Sequence, residues 1–506
     1  MRCVLARCIT FALSGLESVQ VTVEVDVRPG LPCFSIVGLG DAAVRESRER
    51  VRAALLNSGF EFPLRRIVAN LAPASLRKAG PAFDSAIAAA LLAASEQVPL
   101  LSLEGTAIFG ELSLGGELKG TRGTLAAAEG ARVCGVARFL VAEARSGEAA
   151  LVSGLRVGAI RDLRELAAVL NEDREPRSPL PVNEASPASA SHDLADVRGQ
   201  KGAVEALVVA AAGGHNLLIE GPPGVGKTML ARRLPGLLPN LSEDEALEVT
   251  RIQSIAGLHD GEFLVRERPF RAPHHTISAA GLVGGGSIPL PGEVTLAHRG
   301  VLFLDELSEF PRHSLNALRQ PLEDGEVTIV RGNSSVRFPA RLSVVAATNP
   351  CPCGYAGDGD RCQCDERALN AHARRLSGPL LDRFDLLIQA QRPDRSDLEA
   401  AAGPTTEELR QRVQGAREMA TERWAGQPFA VNADASEASL SAEGCFAADG
   451  LVLLGRAYEK GMIAPRGRVR VMRVARTLAD LAGAATVDSG HIAHALSLRL
   501  RSAEHE

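Results

Sequence analysis

Apolar and polar residues alternate over residues 19–26, which is the pattern of a half-exposed β-strand. Residues 42–56 instead follow a helical period, with several arginines among their charges. Alternating strands and Ala-rich helices continue to about residue 170. The pattern predicts a first domain over residues 1–170, followed at 171–192 by a linker rich in Pro, Ser, Ala and charge.

Short apolar runs separated by helical patterns characterise the next stretch, residues 193–394. The runs predict strands at 217–220, 301–304, 342–347 and 386–389. Because helices separate several of these strands, we expect a parallel α/β sheet. From 395 to 506 the pattern is helical and predicts a third, α-rich domain.

Composition narrows the class of protein. The 506 residues are enough for about three domains. A formal net charge of −5 gives no global nucleic-acid signature, so any DNA contact must come from a local basic surface. With no membrane-spanning stretch and no cleavable leader, we expect a cytoplasmic protein without a membrane partner. Its nine cysteines are then expected as thiols or metal ligands.

One segment fits the pattern G-x-x-x-x-G-K-[ST] without a mismatch, and it lies between a predicted strand and a predicted helix. The backbone amides of such a loop wrap the phosphates of a nucleotide. We expect Lys227 to reach the β- and γ-phosphates of ATP and the Thr228 hydroxyl to bind Mg²⁺. A chance Gly/Pro turn is the alternative, which the flanking strand and helix disfavour. The predicted nucleotide-binding residues are Gly221, Pro222, Pro223, Gly224, Val225, Gly226, Lys227 and Thr228.

Polar residues end two further predicted strands. We assign the organisation of Mg²⁺ to Asp305 and the activation of the attacking water to Glu306. The alternative for this pair is a solvated turn. Asn349 is a candidate to orient the water near the γ-phosphate, with a helix cap or turn as its alternative.

Arginines are candidates for charge stabilisation. Arg383 either reaches the γ-phosphate of a neighbouring subunit or pairs with Asp382 or Asp385, and spacing alone does not decide between these. Further along, Arg466, Arg470, Arg473 and Arg476 follow one another at helical spacing. Such charge is usually a solvated face; here one arginine is a candidate to sense the nucleotide.

Two groups of residues raise the question of metal binding. Cys351, Cys353, Cys362 and Cys364 lie on a Gly/Asp-rich loop, 351–364, and four thiolates would satisfy structural Zn²⁺; reduced, unliganded thiols are the alternative. His274 and His275 are adjacent without a nearby third ligand, which is weak evidence for a metal.

A β-hairpin is predicted over residues 326–338, with Gly332 and Asn333 at its turn. Arg331 and Arg337 flank the turn and are candidates to contact the phosphate backbone of DNA. A solvated hairpin without a ligand is the equally open alternative.

Taken together, these motifs resemble the magnesium-chelatase-like family of AAA+ ATPases, and within it the competence-associated members. The resemblance covers nearly the whole chain. Its segments are 30–39, 69–78, 196–200, 211–216, 271–275, 349–354 and 377–385.

The resemblance implies a fold and a set of roles. The fold is a P-loop AAA+ domain with a parallel sheet, preceded by a Lon-protease-like α+β domain (ribosomal S5 domain 2-like) and followed by an α-helical lid. The assembly is a homo-hexameric ring with ATP in the subunit clefts. The implied roles are Walker A for Lys227 and Thr228, Walker B for Asp305 and Glu306, sensor 1 for Asn349, arginine finger for Arg383 and sensor 2 for Arg466.

The chain departs from the family pattern at two places. Around Arg466 relatives tend to read Ser-Ala-Arg and an aromatic residue, whereas Pro465 and Gly467 flank it here and are expected to weaken a helix. In the first domain, Ala82 occupies the place of the nucleophilic serine of Lon-type proteases. Without a hydroxyl no acyl-enzyme forms, so we expect a domain without proteolytic activity.

Three functions are weighed. The resemblance favours an ATP-driven helicase that promotes branch migration when incoming single-stranded DNA is integrated during natural transformation. Its partners would be single-stranded or branched DNA and recombination proteins. The alternatives are the ATPase chaperone subunit of a magnesium chelatase and an ATP-dependent, protease-like unfoldase.

Overall fold

The computed structural model describes residues 4–181, 183–184, 193–259, 263–286, 289–331, 334–356, 361–376, 380–399, 401–442 and 445–499. The described residues form two large sheets, four two-stranded sheets and a helical region. A search of this described part of the chain finds no helix with the length and apolarity needed to cross a bilayer.

The first region is a seven-stranded mixed sheet in the order β3-β4-β2-β1-β5-β8-β9. Its elements are β1 (Val4–Ser14), β2 (Glu17–Arg28), β3 (Cys33–Val37), α1 (Ala42–Asn57), β4 (Arg66–Ala72), α2 (Asp84–Ala94), β5 (Thr106–Phe109), β6 (Glu111–Leu112), β7 (Leu118–Lys119), α3 (Thr124–Val133), β8 (Arg138–Ala142), α4 (Ser146–Ala150), β9 (Val157–Ile160), α5 (Leu163–Leu170) and β10 (Asn183–Glu184). Val21, Val23, Val25 and Val27 of β2 are buried and the residues between them are half-buried, as its alternating pattern predicts, whereas Val19 near its start is exposed.

The second region is a five-stranded sheet in the order β13-β16-β19-β11-β20, with every neighbouring pair parallel. Its elements are α6 (Lys201–Gly213), β11 (Leu217–Glu220), α7 (Lys227–Ala231), α8 (Leu234–Leu237), α9 (Glu243–Ala256), β12 (Phe263–Leu264), β13 (Phe270–Arg271), α10 (Ala279–Val283), β14 (Gly284–Gly285), β15 (Leu290–Pro291), α11 (Glu293–Leu296), β16 (Val301–Leu304), α12 (Arg312–Ala317), α13 (Arg319–Asp324), β17 (Glu326–Arg331), β18 (Ser334–Pro339), β19 (Ser343–Thr348), α14 (Glu366–Leu376), β20 (Leu386–Gln389) and α15 (Arg395–Glu399).

The parallel direction of these strands decides where the polar residues meet. The phosphate loop follows β11, Asp305 follows β16, and Asn349 follows β19. Because the carboxyl ends of parallel strands share one edge of a sheet, all three lie at the same edge. We call it the carboxyl edge, and the opposite edge the amino edge.

The third region is helical, with α16 (Thr406–Arg423), α17 (Glu437–Ala442), α18 (Ala448–Glu459), α19 (Pro465–Leu481) and α20 (Ser489–Ser497). Helices α16 and α19 pack on α6, and one hydrophobic core joins them to the parallel sheet.

The prediction that Pro465 and Gly467 weaken a helix around Arg466 is wrong. Helix α19 begins at Pro465, and Gly467 lies inside it. Proline is tolerated at the first helical position because the N–H that it lacks would have no partner in the helix. Arg476 is fully buried and pairs with Asp480 at 2.9 Å, which makes it part of the core.

The first region contacts the second at several places, and two of them bear on the site. Glu148, which is fully buried, accepts hydrogen bonds from the backbone of Leu125 at 2.9 Å and from Ser254 of α9. The turn between β1 and β2 reaches strand β18: a Cβ on Gly15 would lie 2.5 Å from Cγ1 of Val336. The middle of strand β18 therefore rests against the first region.

Candidate functional site

Lys227 bridges the phosphate loop and the end of β19. It is the first residue of α7, after Gly226 in the left-handed conformation with φ 92°. Its Nζ donates to the carbonyl oxygens of Gly221 at 2.5 Å and Pro222 at 3.0 Å, and to Oδ1 of Asn349 at 2.9 Å. Burial lowers the pKa of Lys227, and the negative charge of Asp305 opposes this shift. The ammonium therefore lies where the free amides of the helix start face the loop, which is an environment suited to phosphate.

A hydroxyl and a carboxylate meet beside this lysine. Oγ1 of Thr228 donates to Oδ2 of Asp305 at 2.7 Å, and Oδ1 of Asp305 accepts from the backbone N–H of Glu306 at 3.0 Å. Hydroxyl and carboxylate oxygens are ligands of the type that Mg²⁺ prefers. The residues present therefore fit a magnesium ion that would share its coordination with nucleotide phosphates.

Glu306 has an unusual backbone and a specific partner. Its φ of 52° and ψ of 50° are left-handed, a conformation that is uncommon for residues other than glycine. Its Oε2 lies 3.1 Å from Nδ1 of His275. His275 packs against His274, with ring centroids 4.1 Å apart, and against the edge of Phe310. Sequence reasoning considered these histidines only as metal ligands and missed the contact, because pairing across two strand ends leaves no signal in local spacing.

Asn349 is held by the segment that follows it. Its backbone carbonyl accepts a hydrogen bond from Nε2 of His372 at 2.9 Å, and His372 is buried on α14. Neither residue's contact was foreseen from the sequence. Asn349, whose side-chain amide contacts Lys227, is thus held by a helix that follows the cysteine loop in the chain.

The four cysteines of that loop converge. Their Sγ atoms all lie within 4.8 Å of one another. The separations are 3.3 Å for Cys351–Cys353, 3.8 Å for Cys351–Cys362 and 3.7 Å for Cys353–Cys362. The N–H of Ala356 donates to Sγ of Cys351 at 3.2 Å. Hydrogen bonds from the backbone of Gln363 and Tyr355 lower the pKa of Cys353 to about 6. At Cys362 and Cys364 a backbone hydrogen bond is outweighed by burial and by hydrogen bonds with Cys353 and Cys351, which raise the pKa of both thiols. Thiolates are the form in which cysteine binds metal.

Arg383 lies at the amino edge, just before β20, and is away from the phosphate loop of its own chain. It is buried and pairs with Glu323 at the end of α13. It lines a cavity of about 920 Å³ between the amino edge and the helical region.

Asp385, at the amino edge of the sheet, forms an ion pair with a residue of α19. It lies 3.0 Å from Nη1 of Arg470 and 3.3 Å from Nδ1 of His215. Burial raises the pKa of Asp385, but the hydrogen bond from His215 and the charge of Arg470 outweigh it and hold the pKa below its ordinary value. Arg466, which is exposed one turn before Arg470, therefore also lies towards the amino edge.

The hairpin predicted over 326–338 is formed by β17 and β18, paired from Glu326↔Pro339 to Arg331↔Ser334. The side chain of Arg337 is 74% exposed and lies 3.8 Å from Glu326. The side chain of Arg331 and the turn residues 332–333 lie outside the described residues. The structure thus does not bring Arg337 to the phosphate loop.

A second cavity, of about 640 Å³, was missed by sequence reasoning. It lies between α6 and the helical region, and Val204 and Leu478 are among its apolar lining. Gln200, also in the lining, donates from Nε2 to the carbonyl of Val225 in the phosphate loop at 3.3 Å. The cavity thus adjoins the phosphate loop.

Residues near Ala82 have the environment of a core. Ala82 itself is buried. The nearby Ser85 is buried and donates its hydroxyl to the carbonyl of Gly110 at 2.8 Å. Lys78 is buried and donates to the carbonyl of Pro73. The Ser85 hydroxyl and the Lys78 ammonium are therefore both buried and do not face solvent.

Comparison with known families matches three stretches of the chain. Residues 193–398 match the family described as magnesium chelatase, subunit ChlI. Residues 23–145 match the family described as subunit ChlI of Mg-chelatase, and residues 403–499 its C-terminal part. The chain belongs to the magnesium-chelatase-like AAA+ ATPases of the ComM type, as its motifs predict.

Several relatives match over nearly their full length. An uncharacterized protein of Mycobacterium tuberculosis is 45% identical, over 98% of this chain and 98% of its own. The uncharacterized protein YifB of Escherichia coli is 41% identical, over 97% and 96%. Competence protein ComM of Haemophilus influenzae is 40% identical, over 96% of each chain.

Lon protease 2 of Bacillus subtilis is 33% identical over 142 residues, which is 26% of this chain and 25% of its own. The predicted fold class, a parallel-sheet AAA+ domain between a Lon-like α/β region and a helical region, is confirmed.

Proposed function

We propose that this chain is an ATP-hydrolysing DNA motor that assembles as a homo-hexameric ring in the cytoplasm and promotes branch migration during the integration of incoming single-stranded DNA. Recombination proteins would be its further partners. The observation that carries the ATPase part is the meeting of Lys227, Thr228, Asp305, Glu306 and Asn349 at one edge of the parallel sheet. The DNA part rests on the near full-length similarity to competence protein ComM.

Within one chain, each residue at the carboxyl edge has a separate role in ATP hydrolysis. The loop amides and Lys227 bind the phosphates of ATP, while Thr228 and Asp305 hold Mg²⁺. Glu306 accepts a proton from the attacking water, and Asn349 orients that water. Magnesium supplies charge neutralisation at the phosphates when it is bound.

The position of Arg383 supports a shared site. Because the length of the sheet separates it from the phosphate loop of its own chain, its guanidinium serves the nucleotide of a neighbouring subunit. Such head-to-tail contacts close into a ring where the rotation between subunits allows it, and in a closed ring every cleft is completed in this way. Arg466 lies towards the same edge, so its proposed contact with nucleotide is also made to the neighbour.

The β17–β18 hairpin is the proposed DNA contact. Arg331 and Arg337 would bind backbone phosphates without reading sequence. The exposure of Arg337 and its long separation from Glu326 leave its charge available to a ligand. Since the turn between β1 and β2 touches β18, the first region would support this hairpin in the ring.

The cysteine loop is the proposed zinc site. A tetrahedron with Zn–S bonds of about 2.3 Å has sulfur–sulfur edges of about 3.8 Å. Two of the observed separations, 3.8 and 3.7 Å, match this edge. Four thiolates leave no open coordination position, so the ion is structural. Metal analysis of protein purified without chelator should give about one zinc per chain; absence of metal with four reactive thiols would reject the site.

Two other functions are less well supported. A chelatase subunit would share the ATPase core, but the Lon-like region and the cysteine loop favour the ComM type. The protease alternative lacks a nucleophile, because Ala82 has no hydroxyl and the Ser85 hydroxyl is buried against Gly110. ATP-dependent degradation of casein that disappears in Lys227→Ala would revive it.

A branch-migration assay on a synthetic four-way junction tests the proposal. We expect strand exchange with ATP and none with a non-hydrolysable analogue. Lys227→Ala and Glu306→Gln should both be inactive. ATPase activity stimulated by a chelatase partner instead of branched DNA would favour the chaperone function.

A further inference from the structure

The four-cysteine loop is joined to the nucleotide site at three points. At its start, Asn349 precedes Cys351 by two residues and accepts from Lys227 at 2.9 Å. In its middle, Gly354 lies against the phosphate loop. At its end, Cys364 is followed by α14, which carries His372. A metal site within the loop is therefore built into the wall of the nucleotide site.

The contact in the middle is close. A Cβ placed on Gly354 would lie 2.7 Å from Cδ and 3.2 Å from Cγ of Pro223, the third residue of the phosphate loop. The φ of Gly354 is +88°, which side chains rarely tolerate. Only glycine thus lets the cysteine loop approach the phosphate loop at this distance.

The contact at the end closes a ring of interactions. Nε2 of His372 donates to the carbonyl oxygen of Asn349 at 2.9 Å, so Nε2 carries the proton. One ion bound by Cys351 and Cys364 would join the two chain segments that hold Asn349 from either side. Without the ion, those segments are tied by thiols, which are weak hydrogen-bonding groups.

We propose that the four-cysteine metal site is a positioning element of the ATPase, so that its metal occupancy sets the rate of ATP turnover. This inference rests on the proposed ATPase function. The bound ion takes no part in the reaction. It fixes the chain at Asn349 and at the start of α14, and through Gly354 the phosphate loop at Pro223, in the arrangement in which the amide of Asn349 faces Lys227.

The test uses the full chain and four variants. Cys362→Ser removes a ligand, and Cys134→Ser is its control at an exposed, isolated cysteine. Gly354→Ala keeps every ligand but forces the loop away from Pro223. Its control is Gly426→Ala, which introduces the same strain at φ +82° with no atom within 4 Å. For each protein, metal content, nucleotide affinity, kcat, KM and the thermal midpoint are measured.

We expect Cys362→Ser to lose its metal and to show about tenfold lower kcat. Gly354→Ala should retain the metal and show a similar loss, whereas both controls match the wild type. Stripping the wild type with a chelator should lower kcat, and added Zn²⁺ should restore it. Because it uses the wild type, this removal and return of zinc tests whether metal occupancy sets kcat even if Cys362→Ser does not fold.

Two results would overturn the inference: a metal-free protein with unchanged kcat, KM and nucleotide affinity, or a wild type that binds no metal at these cysteines. A wild type that hydrolyses no ATP refutes the proposed function instead. In that case the affinity for an ATP analogue is compared with and without zinc at the four cysteines. A difference in affinity still shows that the cysteine site and the nucleotide site are coupled.

Discussion

The imidazole of His275 holds the carboxylate of Glu306, with Nδ1 and Oε2 3.1 Å apart. His275 follows β13, the neighbour of β16, and Glu306 lies two residues beyond the end of β16. The same segment continues into α10 and β14, and a Cβ on Gly284 would lie 3.0 Å from Ile329 in the β17–β18 hairpin. A continuous set of contacts thus joins the proposed general base to the proposed DNA-binding hairpin.

Removing this restraint should raise the basal ATPase rate. In His275→Ala the carboxylate of Glu306 is free to accept a proton from water, and a partly exposed pair of this kind is worth about 1 kcal/mol, or about fivefold in rate. Stimulation by DNA should fall correspondingly. Steady-state ATPase assays with and without single-stranded DNA measure both, and His274→Ala is the control. An unchanged basal rate and stimulation would show that the pair has no restraining role.

The carboxyl-edge residues should separate binding from hydrolysis. Lys227→Ala removes the phosphate contact and should abolish measurable nucleotide binding. Glu306→Gln should bind with unchanged affinity while turnover falls about 10²- to 10⁴-fold, the usual contribution of a general base. Fluorescent-nucleotide titration and phosphate release measure the two effects. Lys460→Ala, at an exposed lysine of the helical region, is the control; normal turnover in Glu306→Gln would refute its assignment.

Arg383 should act across a subunit boundary. Arg383→Ala alone should lower turnover about 10³-fold. Lys227→Ala is inactive for a different reason and still carries Arg383. If the two variants are co-expressed and co-assembled, an intact Lys227 meets an intact Arg383 at some interfaces, and part of the ATPase activity should return. No recovery in verified mixed rings would place the action of Arg383 within its own chain.

Arg337 should contribute to DNA binding through charge alone. Arg337→Ala should weaken binding uniformly across sequences and reduce the slope of log affinity against log salt by about one. Basal ATPase should not change. Fluorescence anisotropy at several salt concentrations measures this, with Arg395→Ala, at a 91% exposed arginine on α15, as the control. An unchanged slope would remove the hairpin from the DNA contact.

Glu248 should make the stability of the second region sensitive to acid. Hydrogen bonds from His298 and Arg299 lower its pKa from 4.5 to about 2. The stabilisation is therefore complete above pH 4.5 and is lost as the pH falls from 4.5 towards 2. Because Glu248 is partly exposed, Glu248→Gln should cost only about 1 kcal/mol at pH 7.

Denaturant unfolding of wild type and Glu248→Gln at pH 7 and pH 3 measures this effect, with Glu418→Gln on α16 as the control. The difference between wild type and Glu248→Gln should shrink at the lower pH. A constant difference would mean that the charge of Glu248 is not what stabilises the fold.

Local patterns in the sequence were enough for the elements that carry the chemistry. The apolar runs at 217–220, 301–304 and 386–389 are strands with those bounds, and the one at 301–304 is buried along its whole length, which requires an apolar run. The phosphate loop was recognisable for a similar reason, since its glycines and lysine act within one short segment. The family assignment followed from the sum of such segments.

What the sequence by itself determined was thus the set of elements, the family and the residues at the strand ends. Only the tertiary structure decided which of those residues meet. The pairing of His275 with Glu306, of His372 with Asn349 and of Gly354 with Pro223 joins segments that are distant along the chain. It depends on the order in which parallel strands pack and on close approach of backbones, and neither leaves a periodic signal in the sequence. Likewise, the separation of Arg383 from Lys227 follows from the strand direction, because residues before and after parallel strands lie at opposite edges of the sheet.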